Sequence, residues 1–193
     1  MRTRIILHGG NSNKKSDKND RFFREVIGGI DKDAISVLCV YFARPEGRWE
    51  DSYAEDQSIF RALGIETGKD IETRLATYDM DALLAGIAEA DVIFINGGYK
   101  GHLRVTLGLI GIDNFRRRVK GKTLVGISAG ANVLGRYYYS QGIDGIREGV
   151  GFLGAKVLTH YSAAKPEQLE LLTAYGEELP VVMIAEEEYT VIE

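Results

Sequence analysis

Short apolar runs alternate with amphipathic stretches along most of this chain. Ile5-Ile6-Leu7 reads as a first strand, stopped by Gly9-Gly10. Positions 11–19 are polar and predict a loop, in which Lys14, Lys15 and Lys18 read as solvated charges. Phe22, Phe23, Val26 and Ile27 then recur at helical spacing. A second strand is predicted at 34–41, a helix at 51–63 with Ile59, Phe60 and Leu63 on one face, and a third strand at 71–75. Asp79 can cap a helix that runs to about Ala88. Positions 91–96, Asp-Val-Ile-Phe-Ile-Asn, predict a buried strand, and this one also ends on a glycine pair, Gly97-Gly98. Helical patterns follow at 102–109 and 112–119, then a strand at 123–127 and a helix of small residues from 128. Val157-Leu158 closes another strand just before His160. Pro166 suits the first turn of a helix reaching about Tyr175, and strands are predicted at 181–184 and 189–192.

Strands that alternate with helices, and that read as apolar runs rather than two-residue periods, imply an α/β fold. Its sheet is mostly parallel, with helices on both faces. Ligands in such folds bind at the carboxyl ends of the strands. Three glycine-rich turns fall there, after Leu7, Asn96 and Ile127. No internal repeat, low-complexity segment or linker interrupts the pattern, so positions 1–193 are expected to form one domain.

Composition narrows the function. A formal net charge of -4 argues against nucleic acid as a partner. The single cysteine, Cys39, lies within the apolar run 35–41 and reads as a buried strand residue. It leaves neither an intrachain disulfide nor a thiolate zinc site. No stretch has the length of a bilayer span, and the apolar segment near the start ends at once in His8-Gly9-Gly10, unlike a leader peptide. A cytoplasmic protein without a membrane partner is the expectation.

The chemistry concentrates at Gly126-Ile127-Ser128-Ala129-Gly130, which matches the nucleophile-elbow pattern. A serine between a strand and a helix must turn sharply, and small neighbours let the chain do so without clashes. Amides at the start of the following helix can then stabilise an oxyanion. The same turn can also serve tight packing or phosphate binding. A serine nucleophile needs a base. The chain has three histidines, His8, His102 and His160, and only His160 is predicted to follow a strand onto the rim that carries Ser128. Asp144 and Glu148 lie between the two, and Asp144 gives the order serine, acid, histidine. The amide of Gly98 can complete an oxyanion hole with that of Ala129. Lys100 and Arg104 beside the glycine pair, and Arg136 after the elbow helix, are cations that can receive an acidic substrate group. Tyr137-Tyr138-Tyr139 reads as either a cleft lining or a partly buried helix end.

Phe94-Ile95-Asn96-Gly97-Gly98, His102-Leu103 and Gly126-Ile127-Ser128-Ala129-Gly130-Ala131-Asn132-Val133 together resemble the S51 serine peptidases, which include the aspartyl dipeptidases (peptidase E) and cyanophycinase. The resemblance implies a flavodoxin-like three-layer sandwich similar to class I glutamine amidotransferases. It implies Ser128 as nucleophile, His160 as base, Gly98 and Ala129 as oxyanion-hole amides, and no metal or organic cofactor. Gly97 and Tyr99 would frame the substrate pocket. Tyr99 stands where the family usually has Asn or Gln, so specificity for an N-terminal aspartate is not carried over. The acidic run Glu186-Glu187-Glu188 reads as a solvated turn. The expected protein is a serine peptidase acting on short peptides, among them those with an acidic residue beside the scissile bond, as a monomer or homodimer. An esterase of the α/β-hydrolase type, with His8-Gly9-Gly10 as its oxyanion motif, and a non-catalytic ligand-binding relative are the alternatives.

Overall fold

Two sheets organise the structure, a computed structural model that describes residues 2–192. The first contains β1 (Arg4–His8), β2 (Ala34–Val40), β3 (Asp70–Leu75), β4 (Val92–Ile95), β5 (Thr123–Ile127) and β10 (Tyr189–Ile192), in the order β10-β1-β5-β4-β2-β3. Every neighbouring pair is parallel except β10 on β1. The second contains β6 (Tyr137–Ser140), β7 (Gly145–Glu148), β8 (Lys156–Thr159) and β9 (Val181–Ile184), in the order β7-β6-β8-β9. The helices are α1 (Asp17–Gly28), α2 (Trp49–Thr67), α3 (Met80–Glu89), α4 (Lys100–Ile110), α5 (Ile112–Arg118), α6 (Ala129–Leu134) and α7 (Pro166–Ala174). Among the described residues, no helix is long and apolar enough to cross a membrane.

The layering follows from the sequence pattern. β4 and β5 are buried at every position, which is why they read as unbroken apolar runs. β3 is an edge strand, and its Asp70, Glu72 and Arg74 alternate outward as charged groups. On one face Phe23 of α1, Phe60 of α2 and Phe94 of β4 interlock edge to face, with ring centroids 5.6 and 5.3 Å apart. Ser16 caps α1 by accepting the amide of Asn19. α2 starts two residues before the predicted helix and runs past it to Gly68, whose left-handed backbone (φ 69°) stops it. The chain leaves β2 towards β3 and leaves β4 towards β5, so the turns after β2 and β4 diverge and open a crevice at the carboxyl edge.

The second sheet is the main departure from expectation. Tyr137-Tyr138-Tyr139 lies in β6, not at a helix end. β7 pairs with it as an antiparallel hairpin in a stretch rich enough in glycine to read as loop. β8 continues from this sheet to the rim that carries the end of β5.

α6 sits unusually close to β4. A methyl group at Gly130 would overlap the carbonyl oxygen of Ile95. Gly130→Ala should therefore destabilise the fold by about 1–3 kcal/mol, since overpacked backbone has no rotamer to change. Urea unfolding of the two proteins checks this, and equal midpoints would contradict it.

Candidate active site

Ser128 follows β5 directly, with φ 50° and ψ -106°, a conformation a serine holds only when its surroundings impose it. Its amide donates to the His8 carbonyl at 2.9 Å, and its carbonyl accepts the Asn132 amide at 2.9 Å to start α6. A Cβ at Gly126 would come within 2.8 Å of the Ala131 amide nitrogen. The small residues around the serine are thus required by backbone contact.

The turn aims Oγ at an imidazole. Ser128 Oγ lies 2.7 Å from His160 Nε2. His160 follows β8, also in left-handed backbone (φ 53°), and its amide donates to the Gly9 carbonyl at 3.1 Å. The ring lies on Gly10, where a Cβ would overlap Cε1, and a Cβ at Gly9 would overlap the Ala185 carbonyl. The first glycine pair therefore seats the imidazole. Gly9 and Gly10 spend their amides on the Glu188 carbonyl and on His8 Nδ1, so they form no oxyanion motif.

On the far side of the ring, Nδ1 lies 3.1 Å from Glu186 Oε1. The other oxygen of Glu186 accepts from Asn11 Nδ2 at 2.5 Å. This corrects the expectation for the acid. Asp144 lies in the β6–β7 turn with its carboxylate on the Tyr139 hydroxyl, and Glu148 is an exposed residue opposite Tyr137 in the hairpin. Neither meets His160, because the hairpin pairing commits that segment to the second sheet. The carboxylate comes instead from the turn before β10, which antiparallel pairing lays against the end of β1.

The second glycine turn completes the rim. Gly98 has φ 145°, and a Cβ there would overlap the Ala43 carbonyl. Among the described residues, the Gly98 and Ala129 amides donate to nothing. Ala129 is the first residue of α6, so its amide has no partner within the helix. Gly97 packs against the serine, with a Cβ at that position 3.0 Å from Ser128 Cβ. Behind the turn, Asn96 Oδ1 accepts the Gly97 amide at 2.6 Å, while its Nδ2 donates to buried Asp56 at 2.8 Å. Arg44 donates to the Gly97 carbonyl and to Asn96 Oδ1, both at 3.3 Å. Burial pushes the Asp56 carboxyl up to about 6, against the lowering effect of its Tyr41 and Asn96 hydrogen bonds.

Two clefts meet at Ser128 and His160. One, of about 490 Å³, is lined by Arg44, Arg48, Asn96, Gly97, Gly98 and Tyr99. The other, of about 610 Å³, is lined by Lys100, Arg104, Arg147, Tyr138 and Ile143 among others. Among the described residues, no carboxylate lines either. Lys100 lies 5.4 Å over the Tyr138 ring, and burial lowers its proton affinity below that of an ordinary lysine. Gly97, Tyr99, Lys100 and Arg104 thus line the clefts. Arg136 is not: it stacks on Tyr137 and pairs with Glu177 at 3.3 Å, because α6 ends at Leu134 and the chain turns into β6. Arg44 and Arg48 escaped the sequence reading, although their place just after β2, at a strand's carboxyl end, was a usable signal.

Of the other histidines, His102 lies exposed on α4. His8 is fully buried. Its Nδ1 accepts the Gly10 amide at 3.1 Å, so Nε2 carries the hydrogen and donates to Asn19 Oδ1 at 3.0 Å.

Fold and site define an α/β protein with an elbow-borne serine hydrogen-bonded to an imidazole at the rim of its parallel sheet. The family model for Peptidase family S51 matches residues 5–193, so the chain belongs to that family and is a peptidase. Among solved structures it is similar to a candidate peptidase E protein from Listeria monocytogenes EGD-e, with 16% identity, a TM-score of 0.69, and coverage of 100% of this chain and 95% of that one. It is also similar to a peptidase from an acI-B1 Actinobacterium, with 20% identity, a TM-score of 0.66, and coverage of 100% and 84%. No curated protein matches the chain.

Burial lowers the pKa of His8 to about 4. Its folded form binds fewer protons than the unfolded chain between that value and about 6.5. The stability this group contributes is complete above pH of about 6.5 and is lost as the pH falls towards 4. The unfolding free energy of wild type minus that of His8→Gln should narrow by about 3 kcal/mol over this window. Urea titrations at stepped pH measure it, and a pH-independent difference would contradict the assignment.

Proposed function

We propose that this peptidase cleaves short peptides through a serine acyl-enzyme. His160 Nε2 takes the proton of Ser128 as Oγ attacks the scissile carbonyl carbon. The resulting oxyanion receives hydrogen bonds from the Gly98 and Ala129 amides. The imidazolium is stabilised by Glu186 and then protonates the leaving amine as the carbon–nitrogen bond breaks. Water, deprotonated by His160, attacks the acyl ester, and Ser128 recovers its proton as the acid leaves. The observation that carries this reading is the 2.7 Å Ser128–His160 contact on a strained strand-to-helix turn. It also disfavours a purely ligand-binding role, since such a role gives no reason to hold the serine in that backbone. No feature of the site favours an esterase.

The substrate is read from charge. Among the described residues, each cleft is lined by arginine or lysine and by no carboxylate, in a chain whose net charge is negative. A peptide with an acidic residue beside the scissile bond fits this setting best. Tyr99, three-quarters exposed at the junction of the clefts, would bound the side-chain pocket.

Ser128→Ala should lower hydrolysis of a dipeptide panel by about 10⁴-fold or more while circular dichroism stays native, and acidic members of the panel should lead in wild type. Retained turnover would refute the nucleophile. Glu186→Gln should cost roughly 10²-fold or more in kcat, whereas Asp144→Asn should stay within about twofold. The reverse ranking would return the acidic role to the hairpin.

A further inference from the structure

We infer that Asn11 is a positioning residue of this site, acting through Glu186 on the imidazole. The inference rests on the reading of Glu186 as the partner of His160. The side chain of Glu186 is half exposed (51%), and a glutamate in that setting samples many rotamers. A single bond to His160 would leave its carboxylate free to swing. Here both oxygens are engaged, Oε1 with the imidazole at 3.1 Å and Oε2 with Asn11 Nδ2 at 2.5 Å.

Asn11 is itself held from below. Its carbonyl accepts the Lys14 amide at 3.1 Å and Asn19 Nδ2 at 2.8 Å. Asn19 is buried, and the hydrogen on His8 Nε2 forces its Oδ1 to accept, leaving Nδ2 as the donor towards Asn11. The acidic turn docks onto the same loop residue by residue. Glu187 donates its amide to the Gly10 carbonyl and pairs with Lys14, and Glu188 pairs with Lys18. These exposed ion pairs are individually weak but fix the register of the turn. Of these contacts among the described residues, only that of Asn11 reaches the carboxylate that faces the ring.

A plainer reason for asparagine exists at this position. Asn11 has left-handed backbone, φ 57°, which asparagine tolerates better than most residues. Glycine satisfies that requirement equally and offers no side-chain amide. Asn11→Gly therefore separates the two roles.

The experiment measures kcat and KM on the best acidic dipeptide for Asn11→Gly, Asn11→Asp, Glu186→Ala and the Asn11→Gly/Glu186→Ala double variant, with melting temperatures. Asn11→Gly should lower kcat by about tenfold, leave KM within about twofold and barely move the melting temperature. Asn11→Asp, which cannot donate and repels Glu186, should not rescue it. In the Glu186→Ala background, Asn11→Gly should cost nothing more, the signature of action through one partner. Wild-type kcat in Asn11→Gly with a slow Glu186→Ala would overturn this inference alone. So would a rise in KM at constant kcat, which would make Asn11 a substrate contact. An undiminished rate in Glu186→Ala would remove the reading of Glu186 and this inference with it.

Discussion

Ser128 must hold a backbone conformation that costs a non-glycine residue roughly 1–3 kcal/mol, and the rest of the site is arranged around that constraint. The strain is sustained because neighbours determine the turn from several sides. β1 holds the serine amide, α6 begins on its carbonyl, and Gly126 and Gly130 let helix and strand backbones approach within contact distance. β5 lies between β1 and β4 in a fully buried ladder, so the turn cannot relax by shifting the strand. What the strain achieves is direction: the hydroxyl leaves the sheet edge pointing at an imidazole rather than into α6.

The glycines at the three strand ends answer the same geometric demand in different ways. After β1 they make room for the His160 ring and the Ala185 carbonyl. After β4 they let the chain pass under the Ala43 carbonyl and against Ser128, with one amide left unspent. After β5 they let α6 start against the sheet. The His160 ring, the unspent Gly98 amide and the Ser128 turn each depend on one such close approach. A side chain at any of these positions would displace backbone, and the atoms it displaced would be the ones that set the distances at the site.

What could be read from the chain was whatever depends on local pattern. The apolar runs of β4 and β5 marked central strands, and Ser128 and His160 stood out because both follow a strand onto one rim. The carboxylate beside His160 could not be read in the same way. Glu186 lies in a triplet of glutamates that looks solvated, and it becomes a neighbour of His160 only when β10 runs antiparallel along β1. Lys14 and Lys18, read as free surface charges, are the partners of that triplet. Asp144 had a plausible place in chain order, but its hairpin lies in a second sheet whose β7 strand has no clear periodic signal. Arg136 was misplaced for a related reason: the length of α6, six residues, decides where the chain leaves it.

Two buried titratable groups, one on each side of the serine, orient the asparagines that shape the rim. Ionised Asp56 can only accept, so Asn96 must turn Nδ2 towards it and Oδ1 towards the Gly97 amide. Neutral His8 must donate from Nε2, so Asn19 must turn Oδ1 towards it and Nδ2 towards the Asn11 carbonyl. Both arrangements carry an electrostatic cost, and the two costs have opposite pH dependence. The depressed His8 pKa makes stability rise with pH between about 4 and 6.5, whereas the raised Asp56 pKa makes it fall with pH between about 3.8 and 6. Where the windows overlap the slopes oppose one another, so total stability changes less with pH than either group alone would dictate. Above pH of about 6.5 both slopes vanish, His8 is neutral and Asp56 is ionised. Those are the two protonation states in which the asparagines are forced to point as they do.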